Sequence, residues 1–244
     1  MRALSAQDVL RVWEAGEGRH IVEKALALLA AACPDSTQED LAGLSVGRRD
    51  ARLLELREAT FGAMLDGFAQ CPACAERLEF VFAAGDIRAE PESGPAAEPF
   101  ELAVEGLKVK FRLPDSRDLA AAALCQDAQA ARSLLIERSV LEAGDGRASV
   151  PAGQLPAGVA DRLAARIAEL DPQADVLLDL ACPACGHRWR MVFDIARFLW
   201  AEVSAQAKRM LREVDALARA YGWREADILA LSAARRQAYL DMVS

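Results

Sequence analysis

Apolar residues along this chain recur at two different periods, and the changes of period mark its elements. The first third repeats at helical spacing. Helices are predicted over about Ala6 to Glu14 and about His20 to Ala32, the second ending before Cys33-Pro34. A third starts after Ser45, a plausible N-cap, and runs through GRRDARLLELREATFG. Its apolar stripe is Leu53, Leu56, Ala59, Phe61 and Met64, charged residues fill the opposite side, and Gly62 is placed to stop it. After Cys71-Pro72-Ala73-Cys74 the period drops to two. Leu78, Phe80 and Phe82 alternate with Arg77, Glu79 and Val81, which predicts a strand.

Residues 84–99 hold Pro91, Gly94, Pro95 and Pro99 among acidic residues and read as an exposed linker. Phe100 to Val104 and Leu107 to Leu113 then predict a hairpin turning at Glu105-Gly106, and Ser116 is placed to cap an alanine-rich helix. Helices follow over about Ala128 to Leu141 and Val159 to Leu170, with a loop from Gly144 to Gly158 between them. Alternation returns at Ala174 to Leu180, just before Cys182-Pro183-Ala184-Cys185. It resumes behind the cysteines, where Trp189, Met191 and Phe193 alternate with Arg188, Arg190 and Val192. Asp194 is placed to cap the longest helix, which Ile195, Leu199, Val203, Met210, Val214, Leu217 and Tyr221 carry to Gly222. At 1.5 Å per residue it spans about 40 Å. Two short helices, about Arg224 to Leu231 and Ala233 to Val243 with Ser232 as cap, finish the chain.

The pattern predicts an α+β fold, mainly helical, with a small four-cysteine, zinc-ribbon-like set of β-hairpins and a long C-terminal helix. It divides the chain into an N-terminal helical segment (1–43), a helix with the first knuckle (44–83) and the linker (84–99). A hairpin and helical insertion (100–173), the second knuckle (174–193) and the long helix with a C-terminal helical hook (194–244) follow.

Composition narrows the class. With 53% apolar residues the chain can build a sizeable core. A formal charge of −8 and a pI near 5.0 argue against a general phosphate-binding surface, so no nucleic-acid partner is expected. The longest apolar run, Ala25 to Cys33, is about half of what a spanning helix needs, and Arg2 is soon followed by Asp8, Glu14 and Glu17 with no apolar signal core. The expectation is a cytoplasmic protein that meets no membrane. In that reducing setting, paired cysteines point to metal more than to disulfide.

Cys71, Cys74, Cys182 and Cys185 are accordingly the candidate ligands of one structural zinc ion. Each C-P-A-C unit lies between two strand-like runs, as in the knuckles of a zinc ribbon, and tetrahedral zinc takes four thiolates at about 2.3 Å. The pairs stand far apart in the chain, which requires the residues between them to fold as an insertion. Three rival readings exist. A thioredoxin-like redox pair opens a helix, whereas alternation follows both pairs here. An iron–sulfur cluster also takes four thiolates, though paired turns on hairpins suit zinc better. The plainest alternative is four buried cysteines with no metal. Gly186 follows the second pair, where positive φ is often required, but Ala75 follows the first, which predicts slight strain there.

Other candidates are more ordinary. Cys33, at a helix end, and Cys125, in the alanine-rich helix, read as small core residues. His187, two residues past Cys185, reads as a solvated or supporting strand histidine, with competition for the metal as the alternative. His20 has no partner in view. No glycine-rich phosphate loop, nucleophile elbow or strong carboxylate pair stands out, so an enzyme is not expected. In the last segment Trp223, Ile228, Leu231 and Tyr239 either pack back onto the body or anchor a partner in helix-in-groove fashion.

Taken in order, GRRDARLLELREATFG with its C-P-A-C knuckle, the phrase Phe111-Arg-Leu-Pro-Asp-Ser-Arg-Asp-Leu119, and the second knuckle leading to Phe193-Asp-Ile-Ala-Arg-Phe-Leu-Trp200 form a series. It ends in YGWREADILALSAARRQAYL, and the whole resembles the baseplate hub assembly chaperones of T-even-type phages and of contractile, phage-tail-like injection systems. The resemblance runs from about Leu44 to the C-terminus and leaves out the N-terminal 40 residues. It implies a non-enzymatic protein that binds hub or wedge components of a contractile baseplate, as a transient chaperone or as a structural subunit. A zinc-ribbon nucleic-acid or transcription accessory protein is the competing class, and an enzyme or redox protein the third.

Overall fold

The computed structural model describes residues 1–89 and 99–243; most of the predicted linker, residues 90–98, lies outside the described residues. Helices α1 (Ala6–Gly16), α2 (Ile21–Ala32), α3 (Gln38–Ala42) and α4 (Val46–Phe61) open the chain. Strands β1 (Met64–Gln70) and β2 (Arg77–Ala83) form an antiparallel hairpin. Strands β3 (Phe100–Val104) and β4 (Leu107–Phe111) pair next. After helices α5 (Ser116–Ala122) and α6 (Ala128–Ser139), strand β5 (Val140–Gly144) joins the free side of β4. Helix α7 (Ala157–Leu170) leads to a hairpin of β6 (Val176–Ala181) and β7 (Arg188–Phe193), and α8 (Ile195–Tyr221), α9 (Glu225–Ala230) and α10 (Ala233–Asp241) complete the fold. This is the α+β class that the periodicities predict.

Three apolar clusters hold these elements. The largest gathers Leu28 and Leu29 of α2, Leu53, Leu54 and Leu56 of α4, and Leu199, Val203 and Met210 of α8, with Ile228 of α9. A second, built on Val109, Phe111, Ile136, Val159 and Leu163, seals the three-stranded sheet against α6 and α7. The third is small and lies at the cysteines: Cys71, Leu78 and Cys182, with Trp189 against them. The two hairpins also meet through Phe82 and Phe193, whose rings stand edge to face at 5.5 Å.

Several details differ from the periodic reading. Gly62, at φ 93°, ends α4 as expected, so Met64 belongs to β1 and not to the helical stripe. Charged residues do not all fill the outer side of α4, because Arg49, Asp50 and Arg57 are buried. Arg57 makes a two-pronged pair with Glu202 of α8, at 3.0 and 2.7 Å, and donates to the Gly62 carbonyl at 2.6 Å, which ties the end of α4 to α8. Asp115, not Ser116, caps α5; Ser116 is its buried first residue. Helix α6 stops at Ser139, whose hydroxyl turns back to the Leu135 carbonyl, and Val140 onward extends to pair with β4. The short helix α3, not predicted, starts at a capping box in which Thr37 and Asp40 exchange hydrogen bonds.

The insertion is latched to the main helices at the start of α4. Asp171, just past α7, accepts from the Gly47 amide at 2.8 Å and from the Ser45 hydroxyl at 3.2 Å, so a residue distant in sequence helps to cap α4. Gly47 permits this approach; a Cβ there would run into the Asp171 carboxylate.

Within the insertion, the fully buried Asp118 accepts from Arg112 at 2.6 and 3.0 Å, from Arg138 at 2.7 Å and from the Asp115 amide at 2.9 Å. Burial opposes its charge, but these donors outweigh burial and hold its carboxyl below the usual range. A depressed folded-state pKa gives stability that is present above the ordinary carboxylate pKa and is lost as pH falls. Asp118→Asn is therefore expected to cost about 3 kcal/mol near neutrality. In urea titrations across pH, the gap between variant and parent should close below about pH 4.

Candidate metal centre

Each hairpin turn is a Cys-Pro-Ala-Cys knuckle, and the two are built alike. In the first, the Cys71 amide donates to the Glu76 carbonyl at 2.8 Å and the Ala75 amide to the Cys71 carbonyl at 2.9 Å. In the second, the Cys182 amide donates to the His187 carbonyl at 2.8 Å and the Gly186 amide to the Cys182 carbonyl at 2.9 Å. The matching turn positions are left-handed in both, with Ala75 at φ 61° and Gly186 at φ 72°. Glycine adopts that conformation freely, whereas alanine crowds its Cβ against the backbone, so the first knuckle carries the strain expected from sequence.

The knuckles converge. All four sulfur atoms lie within 4.8 Å of one another, and the contacts between knuckles are 3.7 Å for Cys71 with Cys185 and 3.6 Å for Cys74 with Cys182. A disulfide needs about 2.05 Å, so these are four free thiols. Four ligands at about 2.3 Å from a central ion would stand about 3.8 Å apart at tetrahedral angles. The donor set and its spacing thus fit a metal ion. Cys71 and Cys182 are buried beneath Leu78 and Trp189, while Cys74 and Cys185 face outward.

The electrostatics of the thiols agree with shared occupancy. Burial works against a Cys71 thiolate, but the amides of Cys74 and Ala73 and the neighbouring thiols outweigh it and bring Cys71 down to about 7. At Cys74 the Glu76 amide favours the thiolate, yet the thiols of Cys185, Cys182 and Cys71, together with burial, push it up to about 12. Cys185 is likewise raised: the His187 amide and Cys74 favour its thiolate, but burial, Cys182 and Cys71 prevail. One sulfur ionises readily and its charge holds neighbours protonated; a cation removes that conflict.

Strands β2 and β7, not helices, follow the two motifs, so no helix N-terminus activates a thiol as in a thioredoxin-like pair. His187 lies outside the sulfur cluster, exposed, with its ring stacked on Trp189 at 6.0 Å. His20 caps α2, its Nδ1 accepting from the Val22 amide at 3.4 Å. Cys33 is the C-cap of α2 and is half-buried; Cys125, also half-buried, lies in the turn after α5 and not in the helix. At the C-terminus, Ile228 is fully buried in the main core and Leu231 is half-buried. Trp223 is half-buried, stacked on Tyr221 at 4.6 Å and edge-on to the half-buried Tyr239 at 4.8 Å.

Fold and site together define an α+β protein in which two remote hairpins share a four-thiol centre. The family described as T4 bacteriophage base plate protein matches residues 7–200, and the chain belongs to that family. The match reaches back through α1 and α2, which the motif series from Leu44 onward leaves out, and it stops early in α8, short of the C-terminal helices. No curated protein and no solved structure gives a significant match.

The strain at Ala75 has a measurable consequence. Ala75→Gly is expected to stabilise the protein by about 1 kcal/mol, less whatever entropy glycine adds to the unfolded chain, and Gly186→Ala to destabilise it by a similar amount. Thermal unfolding of the two variants beside the parent checks the opposite signs.

Proposed function

We propose that this chain is a non-enzymatic assembly chaperone or adaptor for the baseplate hub of a contractile tail or contractile injection system, its fold held by one structural zinc ion on Cys71, Cys74, Cys182 and Cys185. The observation that carries the reading is the family match over residues 7–200. The partners would be hub or wedge proteins, met in the cytoplasm, where thiols stay reduced and available to metal. Four thiolates fill a tetrahedral shell and leave no ligand position for water, which favours a structural over a catalytic ion. Zinc would cross-link β1–β2 to β6–β7; the chain's own residues supply the binding surface.

Two experiments test this. Elemental analysis of the purified protein is expected to give about one zinc per chain, and Cys71→Ser to lose it. Because ligation requires thiolates, loading should fall as pH falls, with protons released on binding. A full complement of bound iron, or metal-free protein as stable as the loaded form, would overturn the zinc assignment. In the producing cell, deleting the gene is expected to abolish sheathed particles. Normal particles in the deletion strain would sink the assembly role, and finding the chain in mature particles would make it a structural subunit.

A further inference from the structure

A shallow groove runs along the solvent side of α8, walled by Phe61 at the end of α4. Ala201 and Ala205 floor it, and Lys208, Arg209 and Arg212 line its far end. Ala201, Ala205, Lys208 and Arg212 recur every three or four residues, so they share one helix face, and all four are exposed. They span about 16 Å along the axis, close to three turns.

Two cations of this groove, Lys208 and Arg212, are not neutralised from within. Glu202 is held by Arg57 at 2.7 Å, and Glu213 is held by the buried Arg236 at 3.0 Å. Arg209 leans on Gln206 and comes no nearer than 4.0 Å to Glu213. Lys208 and Arg212, four residues apart, are like charges on one face, a spacing that costs a helix stability unless an anion sits over it. Among the described residues no ion pair joins either of them to a carboxylate. In a chain of net charge −8, this is a local excess of positive charge beside an apolar wall.

We propose that this groove docks an acidic amphipathic helix from a baseplate partner. The partner's apolar stripe would lie on Phe61, Ala201 and Ala205, and its carboxylates on Lys208, Arg209 and Arg212. The inference rests on the assembly reading for where the partner comes from, and on the groove for its chemistry. Alanine side chains let a second helix approach closely, and the line of the groove along α8 suits anchors spaced at i, i+3, i+4 and i+7. A nucleic acid fits less well, since three cations with an apolar wall on an acidic protein give few phosphate contacts and a repelling surround.

The test uses the full-length protein and fluorescent probes. One is a helical peptide of about 18 residues with leucine at helical spacing and glutamate elsewhere. The others are its leucine-to-serine counterpart and a single-stranded oligonucleotide. The leucine–glutamate peptide is expected to bind, and Lys208→Glu combined with Arg212→Glu to weaken it by about tenfold or more. Ala205→Glu should weaken it similarly, and Arg219→Glu, on the same helix but outside the groove, should leave it unchanged. Circular dichroism and metal content confirm that each variant is folded. Absence of binding, insensitivity to the charge reversals, or equal binding of the serine peptide or the oligonucleotide would overturn the proposal. Peptide binding is independent of particle formation, so it can stand where a deletion strain refutes the assembly role, and fail where that strain supports it.

Discussion

Four sulfur atoms gathered within 4.8 Å oppose one another as soon as more than one ionises, so their convergence depends on shared protons or on a cation between them. The rest of the structure is arranged to make that convergence affordable. A lone two-stranded hairpin is marginal in water, and among the described residues neither β1–β2 nor β6–β7 has a third strand. Each hairpin is instead anchored at its far end, β1 directly after α4 and β7 directly before α8, and Arg57–Glu202 clamps those two helices together. The sulfur cluster closes the opposite end. The long chain between Cys74 and Cys182 is no obstacle, because doubling a closed loop adds only about 0.6 kcal/mol of closure entropy. What that chain must supply is a second body whose ends come back together, and the sheet sealed by Phe111 and Leu163, latched by Asp171 onto Gly47, does so.

In two of the sequence motifs, part of the charge serves the interior. In GRRDARLLELREATFG the buried charges are Arg49, Asp50 and Arg57; in Arg112-Leu-Pro-Asp-Ser-Arg-Asp118 they are the half-buried Arg112 and the fully buried Asp118. Burying such groups is costly unless they are paired, and an ion pair that joins two elements fixes their relative placement. Arg57 sets α4 against α8, Asp118 sets β4 against α5 and α6, and Arg236 sets α10 against α8 through Glu213 and the Leu231 carbonyl. Asp50 shows the strain of this arrangement: burial pushes its carboxyl up to about 6 although Arg49 at 2.7 Å pulls the other way.

Where structure follows from local chemistry, the sequence was a good guide. The C-P-A-C turns between alternating runs located both knuckles, Ala75 and Gly186 marked the left-handed positions, and Ser45, Asp194, Ser232, Gly62 and Gly222 set helix ends where they stand. Where a distant partner decides, it was not. Val140 and Leu141 read as the tail of a helix, and Gly144 as the start of a loop, until the open side of β4 offers hydrogen bonds, and nothing near Ser45 announces that Asp171 will share the capping of α4. Arg57 looks like a surface charge on a helix wheel because its partner lies on α8. His20, which had no partner in the sequence, does a local job that serine or aspartate commonly does.

Helix α8 joins the two halves of this design. Its first turn follows β7 out of the four-thiol cluster, its buried face carries Leu199, Val203, Ala207 and Met210 through the main core, and its end receives α9 and α10. The family match stops at residue 200, so both knuckles and their strands lie inside the matched stretch, while Glu202 of the α4–α8 clamp lies just beyond it. Lys208, Arg209, Arg212 and the terminal helices lie beyond it. A rigid helix rooted in the hairpins therefore carries a charged, alanine-floored face about 16 Å long away from the sulfur cluster. On this architecture the junction of β7 and α8 sets where α8 leaves the four-thiol cluster, and the side chains after residue 200 give its exposed face its charge.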